Sequence, residues 1–369
     1  MPPRLDQLTA AQRRAVTHEG GPLLVLGAAG TGKTRVLVER FAWLVDQGVP
    51  PEDILLVTRT ASAADVLRRQ VEDALRPPFG ELAVQTVPDL CARLLREHPV
   101  DAGIDPFFVP LTQADRLALL LDRMDRLTLR RHDFLGNPAV LLGGVVERID
   151  RCKLEMVSAA DYAAWAEGLE GERGEREREF AQLYADHDTL LAEQGTLDTG
   201  DLVLRAIALL RGHTSLCERF RHVLVDEYQD FDLAHLEVLG ACGDHGRLTV
   251  AGDDDGSVAK SGSHPPAATK NLRDFSARRS HATVIALERT FRSREQIVRA
   301  ARAGFAAAAA VAAPCSASAR PDFQSPDCSF PERFARPDSG ARKVDSDLLR
   351  PVDYSAAVDY CFRRLIAAA

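Results

Sequence analysis

The sequence predicts an α/β fold, a parallel sheet interrupted by an all-α subdomain and followed by an irregular C-terminal tail. Three observations predict it. Apolar runs alternate with helical stretches up to about residue 90. Strand-like runs then vanish from about Cys91 to Gly195. They return at His222–Val225, Leu248–Ala251 and Thr283–Leu287. Strands alternating with helical stretches are the signature of a parallel sheet, because parallel strands cannot be joined by a tight hairpin and need such a crossover.

In chain order, the first candidate strands are Leu23–Gly27, Ile54–Thr58 and Leu82–Val87, separated by the helices Thr34–Asp46 and Ala61–Leu75. That is β-α-β-α-β. In the next region Thr112 and Asp115 have the spacing of a capping box, opening an apolar helix over Leu117–Met124. Phe180, Leu183, Tyr184, His187, Leu190 and Leu191 recur at helical spacing. The charged run Glu170–Glu179 is mixed in sign and reads as a loop and a solvated helix face. Residues 303–313 (AGFAAAAAVAA) are low in complexity, and six prolines follow between Pro314 and Pro351. This tail reads as disordered or poorly packed, with one short helix over Tyr354–Leu365. The resulting division is 1–90 and 196–300 for the two parts of the sheet domain, 91–195 for the helical insertion and 301–369 for the tail. The end of the 196–300 stretch opens a second domain.

A chain of 369 residues, 46% hydrophobic, can bury a large core in two or three domains. No run of 18 or more apolar residues occurs, so no membrane span is expected. The N-terminus lacks an apolar signal core, which makes the cytoplasm the expected location. No two of the seven cysteines stand in C-x-x-C spacing, so free thiols are expected rather than a zinc or iron–sulfur site. The net charge of −8 removes composition as support for nucleic-acid binding without excluding a local basic face.

The most specific signal is GAAGTGKT: Gly27, Ala28, Ala29, Gly30, Thr31, Gly32, Lys33 and Thr34. It fits G-x-x-x-x-G-K-[ST] between a strand and a helix. Glycines let the backbone curl so that successive N–H groups face a phosphate, and the helix start adds its positive end. Lys33 would reach the β- and γ-phosphates, and the Thr34 hydroxyl would ligate Mg²⁺. Downstream, the apolar run Val223–Val225 ends in Asp226 and Glu227. Asp226 would hold Mg²⁺, and Glu227 would activate the attacking water. Phosphoryl transfer needs mainly positioning and charge neutralisation, which these groups supply.

Eight elements in order resemble the superfamily 1 DNA helicases of the UvrD/Rep/PcrA type, over about residues 5–300. LTAAQRRAV at Leu8–Val16 resembles the Q motif, which implies that Gln12 reads adenine. Gly27–Thr34 matches motif I, with Arg35 matching an arginine the family often carries there. ILLVTRT at Ile54–Thr60 resembles motif Ia, and QTVPDLCARLL at Gln85–Leu95 resembles motif Ib. LDTGDL at Leu197–Leu202 resembles the acidic element that re-enters the core. DEYQD at Asp226–Asp230 is similar to motif II, and Gly252–Asp255 opens motif III. LERTFRS at Leu287–Ser293 resembles motif IV. Phe291 would there stack on adenine, and Arg292 would approach the γ-phosphate. The resemblance implies a RecA-like P-loop NTPase domain that uses ATP and Mg²⁺. It implies 3′–5′ movement on single-stranded DNA or a 3′-tailed duplex, in DNA repair or recombination. Thr58, Arg59, Thr60 and Thr86 would contact the DNA.

The chain departs from that pattern at named positions. Gly256 stands where motif III has its γ-phosphate-sensing glutamine, and Ala259 and Ser261 replace two DNA-facing aromatics. Arg59 replaces an aromatic of motif Ia, Ser62 its lysine, and Pro88 the histidine of motif Ib. Base–aromatic stacking is worth about 1–3 kcal/mol per base, so these changes weaken the expected DNA grip. Motifs V and VI, with the arginine finger of a second RecA-like domain, are not found after Ser293. Two readings stay open: an ATP-dependent DNA helicase or translocase, truncated or acting with a partner chain, and a non-catalytic nucleotide-binding remnant of a degraded or frame-disrupted gene. A small-molecule kinase would share the phosphate loop, but no lid or acceptor pocket supports it.

Overall fold

The structure is a computed structural model describing residues 5–75, 77–130, 137–243, 247–253, 267–279, 281–293, 296–297 and 299. The tail and the motif III positions Gly256, Ala259 and Ser261 lie outside the described residues. The chain opens with α1 (Ala10–Val16), β1 (Leu23–Gly27), α2 (Lys33–Asp46), β2 (Ile54–Val57), α3 (Ala61–Ala74) and β3 (Val84–Gln85). Helices α4 (Val87–Glu97) and α5 (Pro99–Ala102) lead to β4 (Pro110–Leu111). The helical region then runs α6 (Gln113–Asp122), α7 (Pro138–Leu154), α8 (Ala159–Glu167) and α9 (Gly171–Glu193). After β5 (Leu197–Asp198) come α10 (Thr199–Gly212), β6 (His222–Val225), α11 (Leu233–Gly243), β7 (Leu248–Gly252), α12 (Ala267–Arg278) and β8 (Thr283–Leu287).

Among the described residues, six strands form one sheet in the order β3-β2-β6-β7-β1-β8, and every neighbouring pair is parallel. The strands alternate between two cores. Leu24, Leu55, Val57, Val223, Val225 and Val250 face α4, α10 and α11. Leu23, Val25, Ile54, Leu56, Leu224 and Ala251 face α1, α2 and α3. Burial on both faces explains why these strands read as continuous apolar runs rather than alternating ones.

Three sequence expectations change. The strand expected over Leu82–Val87 is only Val84–Gln85. Thr86 instead accepts from the Asp89 backbone N–H and forms a capping box with Asp89, and Val87 and Pro88 open α4. The charged run Glu170–Glu179 is not a loop from Gly171 onward but the first turns of α9. Two of its acids are used internally, Glu177 accepting from Tyr162 at 2.6 Å and Glu179 from the Arg130 backbone at 2.9 Å, while Glu172 stays on the expected exposed face. The insertion is also not free of strands, since β4 within it pairs in parallel with β5. The capping box at Thr112 and Asp115 opens α6 as expected. All six periodic residues of α9, from Phe180 to Leu191, are buried.

The helical region is fastened to the sheet region through a buried ionic joint at the acidic element. Asp198 caps α10 by accepting from the Asp201 N–H at 2.8 Å. Its carboxylate also accepts from Lys153 at 2.9 Å and Arg116 at 3.1 Å, on α7 and α6. Lys153 reaches Asp201 as well, at 2.7 Å. Burial alone would depress the Lys153 ammonium, but the carboxylates of Asp198, Asp201 and Asp188 raise it above its ordinary value. A Cβ on Gly200 would lie 2.8 Å from the Lys153 Cβ, so glycine is what admits the lysine stem.

Candidate nucleotide-binding site

The C-terminal ends of β1, β7 and β6 lie side by side, and each carries a residue of the site. In an open parallel sheet this is the edge where ligands bind. β1 runs into the phosphate-loop sequence, whose turns need Gly30 and Gly32 in left-handed conformations, with φ of 78° and 88°. Side chains there would also collide: a Cβ at Gly32 would meet the Gln12 Nε2 at 2.7 Å, and one at Gly30 the Thr290 Oγ1 at 2.9 Å. Thr31 turns its hydroxyl back to the Ala28 carbonyl at 2.8 Å. Lys33 begins α2 and donates to the Gly27 carbonyl at 2.6 Å and, more weakly, to that of Ala28 at 3.4 Å. Its ammonium stands 3.7 Å from the Asp253 carboxylate just past β7.

β6 delivers Asp226, 5% exposed, whose Oδ2 accepts from the Thr34 hydroxyl at 2.9 Å. Burial, reinforced by the neighbouring Glu227 carboxylate, raises the Asp226 carboxyl to about 6. The paired hydroxyl and carboxylate are hard oxygen donors of the kind that suits Mg²⁺ together with substrate phosphates. Glu227 follows in a left-handed conformation, φ 53°. Its Oε2 accepts from the Gln229 carboxamide at 2.6 Å.

Gln12 is 3% exposed on α1. Its Oε1 accepts from the Thr9 N–H at 3.0 Å, and its Nε2 donates to the Thr31 carbonyl at 3.0 Å. A carboxamide has two N–H groups and two lone pairs, so one of each is left for another partner. Arg40, buried in α2 and lowered to about 10 by that burial, donates to the carbonyls of Ala15 and Val16 and fixes the end of α1. Arg35 donates to the Gln7 side chain at 3.2 Å.

The segment after β8 leans on the Gly27–Thr34 loop. The Phe291 N–H donates to the Gly30 carbonyl at 2.8 Å, and the Thr290 hydroxyl to the Ala29 carbonyl at 3.2 Å. Phe291 is 56% exposed, with the Arg289 guanidinium 5.2 Å from its ring centre, and Arg292 is exposed beside it. Thr58, Arg59, Thr60 and Thr86 lie along the same edge of the sheet, past β2 and β3. Thr58 is buried, and Thr86 is buried with its hydroxyl donating to Asp89 at 2.6 Å. Thr60 is exposed and caps α3. Arg59 is half-buried, 3.5 Å from the Asp230 carboxylate.

The match to known proteins agrees with this geometry. Residues 8–259 fit the family model described as the UvrD/REP helicase N-terminal domain. The chain belongs to that family. Among its UvrD/REP relatives are ATP-dependent DNA helicase PcrA of Bacillus subtilis (strain 168), 31% identical over 303 residues, and ATP-dependent DNA helicase Rep of Escherichia coli (strain K12), 32% identical over 303 residues. DNA helicase II of Escherichia coli (strain K12) is 30% identical over 306 residues. These matches cover 80%, 80% and 81% of this chain and 39%, 42% and 40% of the relatives. The chain thus spans about two fifths of the length of the curated UvrD/REP relatives it matches.

Sequence reasoning missed two groups of residues in this UvrD/REP domain. One is the set Gln229, Asp253 and Asn271 around Glu227. The other is the joint of Arg116 and Lys153 on Asp198. A lysine on an otherwise apolar helix face, beside Ile149 and Cys152, was the signal available for the second.

Proposed function

We propose that this chain is the nucleotide-binding part of an ATP-dependent DNA helicase or translocase of the UvrD type. The observation that carries the reading is the Thr34–Asp226 contact at the foot of the phosphate loop. It gathers a hydroxyl and a carboxylate beside the start of α2, where phosphates would be met by backbone N–H groups. Gly27–Thr34 would cradle the phosphates of ATP, and Thr34 and Asp226 would hold Mg²⁺. An ion held by Thr34 and Asp226 would supply charge neutralisation for the phosphates.

Lys33 would exchange the Gly27 carbonyl for a phosphate oxygen on binding. Glu227 would accept a proton from the attacking water. Gln12 would offer its remaining N–H and lone pair to adenine, while the exposed Phe291 ring supplies a stacking face. Arg292 would approach the γ-phosphate, and Arg35 would flank the phosphate loop. Single-stranded or 3′-tailed DNA would run along the sheet edge past Arg59 and Thr60, with 3′–5′ polarity and a role in repair or recombination. Thr58 and Thr86, being buried, would act there through their main chain.

Unwinding needs a second RecA-like domain, from a partner chain or another part of the protein. The alternative, a nucleotide-binding remnant, is favoured by one observation: Gly256 has no side chain with which to report the γ-phosphate to DNA. The two readings separate on ATP hydrolysis measured with and without single-stranded DNA. Stimulation by DNA supports the helicase reading, and nucleotide binding without turnover supports the remnant. On a 3′-tailed duplex at low salt, where DNA binding is strongest, the chain alone is expected not to unwind.

A further inference from the structure

We infer that Gln229 is a positioning residue that sets the Glu227 carboxylate and ties it to the main chain at the end of β7. The inference rests on the reading of Glu227 as the base for water. Gln229 is only 2% exposed, yet both ends of its carboxamide are engaged. Oε1 accepts from the Asp253 backbone N–H at 3.1 Å, and Nε2 donates to Glu227 Oε2 at 2.6 Å. The amide orientation follows from chemistry: a backbone N–H can only donate, and a carboxylate can only accept. Turning the amide over would break both bonds at once.

The backbone under Gln229 is held too. Asn271, on α12, donates from one Nδ2 to the Gln229 carbonyl at 3.1 Å and to the Phe231 carbonyl at 2.7 Å. Gly252 leaves the room this needs, since a Cβ there would stand 2.8 Å from the Gln229 Oε1. Glu227 itself holds a left-handed backbone that a non-glycine residue adopts only when its surroundings impose it. With Oε2 engaged by Gln229, Oε1 would be the oxygen left for the water proton. The anchor has a consequence for signalling. Asp253 carries both the N–H that orients Gln229 and the carboxylate 3.7 Å from Lys33. A shift at the end of β7 would therefore reach the base and the phosphate-loop lysine together.

The test is a double-mutant cycle on the full chain, read by single-turnover ATP hydrolysis with enzyme in excess and by affinity for a fluorescent ATP analogue. Gln229→Met keeps the length and removes both hydrogen bonds. It is expected to slow hydrolysis at least tenfold while affinity stays within twofold. In a Glu227→Gln background the same change is expected to slow hydrolysis no further, because Gln229 acts through Glu227. Asn271→Ala serves if Gln229→Met does not fold, with a slowing of about threefold and the same non-additivity. Undiminished hydrolysis, a matching loss of affinity, or slowing that multiplies with that of Glu227→Gln would overturn the inference. Wild-type hydrolysis no faster than that of Glu227→Gln would instead remove Glu227 as the base, and the inference with it.

Discussion

Thr34 and Asp226 stand 192 positions apart in the chain, yet the threonine hydroxyl donates to the aspartate carboxylate at 2.9 Å. The contact joins the first turn of α2 to the end of β6, on opposite sides of the helical insertion in sequence. It also leaves a carboxylate in a place that disfavours its charge. Burial and Glu227 raise Asp226 from 3.8 to about 6. The folded chain therefore holds this proton more tightly than the unfolded chain does. Stability contributed by the group falls as pH rises from about 4 to about 6, and the full cost is present above that.

Asp226→Asn is accordingly expected to stabilise the metal-free protein at pH 7, by up to about 3 kcal/mol. The same change should remove the dependence of nucleotide affinity on Mg²⁺. Urea unfolding at pH 4 and pH 7 checks the first effect. A variant less stable than wild type at pH 7 would contradict the electrostatic description of this site.

The buried joint and an exposed pair of similar geometry should behave differently. Lys153→Met leaves Asp198 buried without one of its cations and is expected to cost about 3–5 kcal/mol. Arg126 donates to both oxygens of Glu193 at 2.7 and 2.9 Å, but at the surface. Arg126→Ala is expected to change stability very little, because solvent screens the exposed pair. Thermal unfolding of the two variants side by side would expose an error if the costs were equal.

Gly32→Ala meets two obstacles, a φ of 88° and a Cβ position 2.7 Å from the Gln12 Nε2. Nucleotide affinity should fall at least tenfold. Stability should fall by about 1–2 kcal/mol, because an L-residue resists the left-handed region. Titration with the fluorescent ATP analogue, paired with thermal unfolding, measures both.

On the proposed reading, base choice would fall to Gln12. With one N–H and one lone pair uncommitted, it matches the donor and acceptor edge of adenine. ATP should compete better than GTP for the site, and Gln12→Glu should erase the difference, since a carboxylate has no donor. No preference in the wild-type chain would show that Gln12 serves only Thr9 and Thr31.

Much of this was legible in the sequence for a physical reason. Strands buried on both faces leave apolar runs that need no tertiary knowledge to find, and GAAGTGKT carries its own backbone requirement in Gly30 and Gly32. Contacts between distant elements were not legible. Nothing local marks that Asn271 holds Gln229, or that Lys153 ends on Asp198, because each partner is chosen by packing. Glu170–Glu179 misled because charge at helical spacing looks the same whether it faces water or, as Glu177 and Glu179 do, partners on neighbouring segments. The short β3 misled because Thr86, Pro88 and Asp89 make a helix start inside an apolar run.

The most direct measurement is the affinity of the intact chain for a fluorescent ATP analogue with Mg²⁺, compared with Lys33→Ala. Lys33 now donates to the Gly27 carbonyl, a bond that phosphate would replace. Saturable binding by the wild type and loss of binding in the variant are the expected results. Equal affinity of the two proteins would contradict the assignment of Gly27–Thr34 as the phosphate site.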